Sequence, residues 1–192
     1  MRRVYIERKS VFIAGTALLG AVVAVLDVTF KIAGLKIPFP LLTFLKFDAL
    51  GIPMLLAYFL FGLLSGVITS GIAFLSITLR SGDAFSGFMK FLAEFVTIAG
   101  VFIVLRTRKP TGNRWKALAM ISGIIVRVIV TAIANVLLLP IFMSGFYKTY
   151  TAVPVLVISI FNAIQGAVSI AGGFLIYEAV IRRLPSLMET VK

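Results

Sequence analysis

The chain has 192 residues, 60% of them hydrophobic and 14% charged, with a mean hydropathy of +1.11. Soluble domains are about half apolar and about a quarter charged, so neither a water-soluble globule nor a disordered chain fits. Cysteine and histidine are absent, which excludes disulfides, thiolate or imidazole catalysis, haem attachment and zinc fingers. The net charge of +12, in so apolar a chain, points to the cytoplasmic loops of a membrane protein and away from nucleic acid.

Val11 to Phe30 is apolar apart from Asp27 and long enough to cross a bilayer. It has no short h-region or A-x-A site, so it reads as a retained helix. Lys31 to Asp48 follows, with Gly34, Pro38 and Pro40, a structured loop outside the helices. From Ala49 to Leu79 no residue is charged. As one helix this stretch would run about 46 Å, against a hydrocarbon core of about 30 Å. Gly62, Ser65 and Gly66 offer a break. Phe85 to Leu105 is a further span, then a basic loop from Arg106 to Lys116, then a span from Ala117 to Leu139 stopped by Pro140. Ile141 to Val153 is aromatic and interfacial in character. Pro154 to Ile181 is the last span, closed by Arg182 and Arg183.

Positive charge favours the cytoplasmic side, which decides the count. With 49–79 split in two, both termini share a side with the 106–116 loop. That side then carries twelve Lys and Arg, the other six, with Arg127 inside a span. The expectation is an all-α six-helix bundle, one domain over 1–192, with helices near 11–31, 49–61, 64–80, 84–106, 116–139 and 154–182 and both termini cytoplasmic.

Polar groups at membrane depth are costly, so Asp27, Glu94, Arg127, Asn135, Asn162 and Gln165 each raise a functional question. The plain reading is that Arg127 neutralises a carboxylate and the amides join neighbouring helices. Asn162 and Gln165, at i and i+3, share a helix face. With Asn135 they offer paired donors and acceptors that suit a heterocycle edge. Ala14, Ala17, Ala21 and Ala24, spaced 3, 4 and 3, form a small-residue stripe that lets another helix approach closely, within the bundle or outside it. There is no G-x-S-x-G, H-E-x-x-H or Walker lysine loop, so an enzyme is not expected and no metal site is.

Three strings carry a resemblance. "FLKFDALGIPMLLAYFLFGLLSG" (44–66), "NVLLLPIF" (135–142) and "FNAIQGAVSIAGGFLIYEAVIRRL" (161–184) resemble, in order and spacing, the substrate-binding S components of energy-coupling-factor (ECF) vitamin transporters. The likeness is closest to the riboflavin-specific member. The resemblance implies a multi-pass protein of the cell membrane that binds one vitamin near the outer face under a cap formed by loop 32–48. It also implies partners: a membrane coupling subunit carrying two ATP-binding cassette ATPases. By family position, Asn135, Asn162 and Gln165 would meet the flavin ring, with Asp48 in the cap or pocket and Glu94 a further polar partner. Ala17 and Ala21 match the family's coupling-subunit contact, and Ala14 and Ala24 extend it. Two positions depart from the family pattern: Gln165 stands where it has lysine, and Leu63 where it has proline after F-G. S components for thiamine, pantothenate or folate remain alternatives, Glu94 offering a carboxylate for the thiamine cation, as does a ligand-free membrane assembly subunit.

Overall fold

The computed structural model describes residues 2–106, 113–142 and 153–183. Among the described residues there are six helices: α1 (Arg2–Ile32), α2 (Gly51–Phe61), α3 (Leu63–Ser81), α4 (Ala84–Leu105), α5 (Asn113–Phe142) and α6 (Val153–Arg183). Five of them are long and apolar enough to cross a membrane, and α2 is shorter. Two strands, β1 (Ile37–Phe39) and β2 (Leu42–Phe47), form an antiparallel hairpin between α1 and α2.

α5 shows which solvent the bundle is built for. Ile121, Ile125, Ile129 and Ile133, one per turn, are each half exposed or more. Arg127, Thr131 and Asn135, on the opposite face, are buried. That is the reverse of a soluble amphipathic helix and what a hydrocarbon surround requires of polar groups.

α1 and α3 run parallel. Thr16 and Ser65 hydroxyls meet at 2.8 Å, and further along Asp27 meets Ser76 and Arg80. α2 runs the other way, and the Phe61 ring packs over Gly15 of α1. The reversal between α2 and α3 takes one residue, Gly62, at φ 91° and ψ −177°, a region open only to glycine. The uncharged stretch is therefore an antiparallel helix pair, the split that the charge asymmetry required.

α2 starts late because the chain enters it from inside the bundle. Gly51 lies against Ser169 of α6 and Glu94 of α4. By helix rise, Gln165 is about 18 Å below the Val153 end of α6. Non-helical backbone survives at such depth only if protein satisfies it. Gln165 does so: its Nε2 donates to the Asp48 carbonyl at 2.8 Å and its Oε1 accepts from the Asp48 N–H at 3.3 Å. The Asp48 carboxylate accepts the Leu50 N–H at 3.1 Å, closing the turn into the helix.

Three local features differ from the sequence reading. The 32–48 loop holds a β-hairpin, with Pro38 opposite Lys46 in a two-stranded ribbon whose outer edge asks no N–H of it. α5 continues through Pro140 to Phe142, since a proline in the last turn forfeits little more than one ladder bond. α1 begins at Arg2, ahead of its apolar stretch.

Two glycines make a paired test. An added Cβ would meet nothing within 4 Å at Gly62 or at Gly71, yet only Gly62 has positive φ. Gly62→Ala should destabilise the detergent-purified protein by about 1–3 kcal/mol through backbone strain alone. Gly71→Ala should be neutral or stabilise it by up to about 1 kcal/mol. Thermal unfolding of the two variants beside wild type reads the difference.

Candidate functional site

Between the hairpin and the ends of α3, α4, α5 and α6 lies a cavity of about 780 Å³, within the range of small-molecule sites. Its roof is the hairpin, held on α6 by an aromatic cluster: Phe47 and Phe161 centroids are 4.7 Å apart, with Phe39 5.7 Å from each. At the rim, buried Asp27 accepts from Lys36 of the hairpin approach at 2.6 Å and from Arg80 of α3 at 2.7 Å. Asp83 caps α4 by accepting the Ser86 N–H at 3.0 Å. The Ser86 hydroxyl, which also donates to it, holds the Asp83 carboxyl below its ordinary range.

The deeper wall brings together Asp48, Asn135, Asn162 and Gln165, with Lys90, Arg127 and Thr131. Asn135 Nδ2 donates to the Thr131 carbonyl of its own helix at 2.6 Å, leaving its carbonyl oxygen for the cavity. Asn162 Oδ1 accepts from Arg127 Nε at 3.1 Å, and its Nδ2 donates to the Ile158 carbonyl at 2.9 Å. Gln165 is committed to the Asp48 backbone on both sides of its amide. A lysine at 165 could donate to the Asp48 carbonyl but could not accept its N–H.

Glu94 is placed differently. It is fully buried and does not line the cavity. It stands behind two cations that do: Arg127 Nη1 lies 3.1 Å and Lys90 Nζ 3.2 Å from its Oε1. Lys90 also reaches Asp48 at 2.7 Å, and Arg127 Nη1 donates to Thr97 Oγ1 at 3.1 Å. The four charges Asp48, Lys90, Glu94 and Arg127 thus alternate in sign and sum to zero. Lys90 has a third proton and Arg127 a second terminal nitrogen, Nη2, with no partner among the described residues. The floor therefore offers donors to whatever occupies the cavity, and the carboxylate there, Asp48, is already ion-paired with Lys90.

Lys90 and Thr131 are site residues that sequence reasoning did not single out, and Arg127 appeared only as a partner for a carboxylate. The signal was present: Lys90 and Glu94 are i and i+4 within one span, a spacing that pairs opposite charges on a helix. Ala14, Ala17 and Ala21 are exposed and Ala24 is half-buried. Thr16, Gly20, Val23 and Asp27 form the face that α1 turns to the bundle. Among the described residues no group of acids could hold a metal.

Among solved structures, the chain is similar to the S component of a bacterial ECF transporter, with a TM-score of 0.77 and 27% sequence identity. The match covers 92% of this chain and 98% of that one. No protein-family model and no curated protein matches the chain. The likeness and the apolar helices together make this a multi-pass membrane protein with the fold of an ECF transporter S component.

The charge relay has a thermodynamic signature. Arg127→Met leaves the buried Glu94 facing Lys90 alone and should destabilise the protein by about 3–5 kcal/mol. Adding Glu94→Leu, which leaves Lys90 paired with Asp48, should restore most of that loss. Thermal unfolding of single and double variants in one detergent checks both statements.

Proposed function

We propose that the protein is the riboflavin-binding S component of an ATP-driven ECF uptake transporter of the cell membrane. In this reading both termini lie on the cytoplasmic side and the hairpin covers the vitamin on the other. The observation that carries it is the donor-rich cavity floor under an aromatic roof. The isoalloxazine ring is planar and largely apolar, with a pyrimidine edge of carbonyl acceptors and one N–H donor. Arg127 Nη2 and the remaining Asn162 proton suit the acceptors, and Asn135 Oδ1 suits the N–H. Phe161, Ile158 and Leu139 offer apolar contact to the ring faces. Asp48 and Lys90 are polar partners for the ribityl hydroxyls.

The same floor argues against a thiamine-type ligand. A cation would need an unpaired carboxylate on the wall; Asp48, which is there, is already paired with Lys90, and Glu94 lies behind Arg127 and Lys90. A cation placed beside Lys90 and Arg127, whose charges Asp48 and Glu94 already balance, gains no net attraction from the site. Catalysis is no part of this role. ATP hydrolysis belongs to two partner ATPases, reached through a membrane coupling subunit. The stripe of exposed Ala14, Ala17 and Ala21 with half-buried Ala24 is the proposed contact for that subunit, because small residues facing outward from a bundle admit a second helix at short range.

Two measurements test these assignments. Asn162→Leu removes a ring partner and strips Arg127 Nε of its acceptor. It should weaken riboflavin binding by roughly one to two orders of magnitude, from a cost of about 1–3 kcal/mol per unpaired buried group. Quenching of riboflavin fluorescence by the flavin-stripped protein reads this, and equal affinity in wild type and variant would refute the site. Ala17→Leu and Ala21→Leu should leave that titration unchanged and abolish ATP-dependent uptake in vesicles holding the whole transporter. Normal uptake would refute the contact.

A further inference from the structure

At the other end of the bundle is a second cavity, of about 270 Å³, where α2, α3, α4 and α6 end or turn. Its wall includes Tyr58, Gly62, Leu63, Arg106 and Tyr177. It is too small for a vitamin ring system, falling below the usual span of small-molecule sites. What it gathers is hydrogen-bond donors.

Gly62 turns the chain so sharply that α3 begins there with no side-chain cap. The first N–H groups of a helix have no partner within it, and Leu63, not being proline, keeps its own. They form the positive end of a 19-residue helix. Tyr58 and Tyr177 are only 8% and 6% exposed, and neither hydroxyl has a hydrogen bond among the described residues. Neither hydroxyl is among the buried unpaired atoms, so each keeps access to a group that enters the space, as tyrosine hydroxyls at apolar–polar boundaries do. Arg106, the residue after α4, is exposed and has no ion pair among the described residues. Among the described residues no acid lines the cavity. A guanidinium, two phenols and a helix N-terminus around one small space call for a compact anion with several acceptor oxygens.

We propose that this cavity binds a phosphate group, the headgroup phosphate of an anionic phospholipid when the protein is in its membrane. The site lies at the ends of membrane-crossing helices, where headgroups are found, and Phe59, Phe102 and Leu105 give it an apolar side for the glycerol and first acyl carbons. Arginine pairs with phosphate through two parallel N–H bonds, and tyrosine sits at this depth with its ring in hydrocarbon and its hydroxyl at the headgroups. The inference stands on this end of the bundle alone and does not depend on the vitamin proposed above.

The test uses the full-length protein, purified and stripped of lipid in a neutral detergent. Its thermal midpoint is followed in two series, one with mixed micelles containing phosphatidylglycerol and one with inorganic phosphate. Ligand binding to the folded state raises the midpoint by linkage. We expect phosphatidylglycerol to raise it by several degrees. Arg106→Gln should remove at least half of that shift, and Tyr58→Phe with Tyr177→Phe should remove much of the remainder. Riboflavin quenching in Arg106→Gln should match wild type. A shift with inorganic phosphate alone, abolished by the same substitutions, upholds the phosphate site and assigns it to the free ion. No shift in either series overturns the proposal, as does a shift that both Arg106→Gln and the tyrosine pair leave undiminished. Arg106 is exposed, so its substitution tests the site even if the tyrosine variants fold poorly.

Discussion

Four ionised side chains in a lipid-facing bundle are tolerable only if each is neutralised by its neighbours, and that constraint organises the half of this protein that lies under the hairpin. Asp48, Lys90, Glu94 and Arg127 form a chain of contacts between 2.7 and 3.2 Å. Removing any one would leave an uncompensated charge at depth, where the penalty is several kcal/mol. The chain links the entry of α2 to α4 and α5, and through Asn162 to α6. The wall of the large cavity is therefore set by electroneutrality before any ligand arrives. Glu94, which touches no cavity space, fixes where Lys90 and Arg127 can point.

A second constraint is the backbone at residues 48–50. A loop that dips between helices must have its amides and carbonyls satisfied, and the Gln165 side chain does this for Asp48 from across the bundle. The hairpin is thus tied to α6 at two levels, by aromatic packing above and by one amide below. Gly51, where a Cβ would approach Glu94 Oε2 to 2.6 Å, lets the loop come close enough for both. Binding cavity and exposed alanine stripe occupy different parts of the molecule. In the proposed function, one end can then hold the vitamin while the side of α1 engages the coupling subunit.

Much of the fold was legible in the sequence because hydrocarbon imposes simple rules. Apolar stretches gave the long helices, and the asymmetry of positive charge, with Gly62 offering a break, split 49–79 into two helices. The hairpin was not legible. Its strands are short, interrupted by Pro38 and Pro40, and stabilised by Phe161, more than a hundred positions away. The helical spacing of Asn162 and Gln165 and the position of Asn135 singled out three residues that line one cavity wall. Their partners were hidden, because the use of an amide depends on what stands opposite it. Gln165 serves backbone, Asn162 orients Arg127, and Glu94 faces cations of α4 and α5 in place of a ligand. No pattern within one helix contains that information.

The central claim is that the cavity under the hairpin holds a flavin, and the most direct measurement is the absorbance spectrum of the protein purified in detergent from cells supplied with riboflavin. The expected result is a yellow protein whose flavin bands persist through gel filtration at about one flavin per chain. The extracted chromophore should be riboflavin by mass. A colourless protein that releases no flavin on denaturation, and takes none up when riboflavin is added, would contradict it.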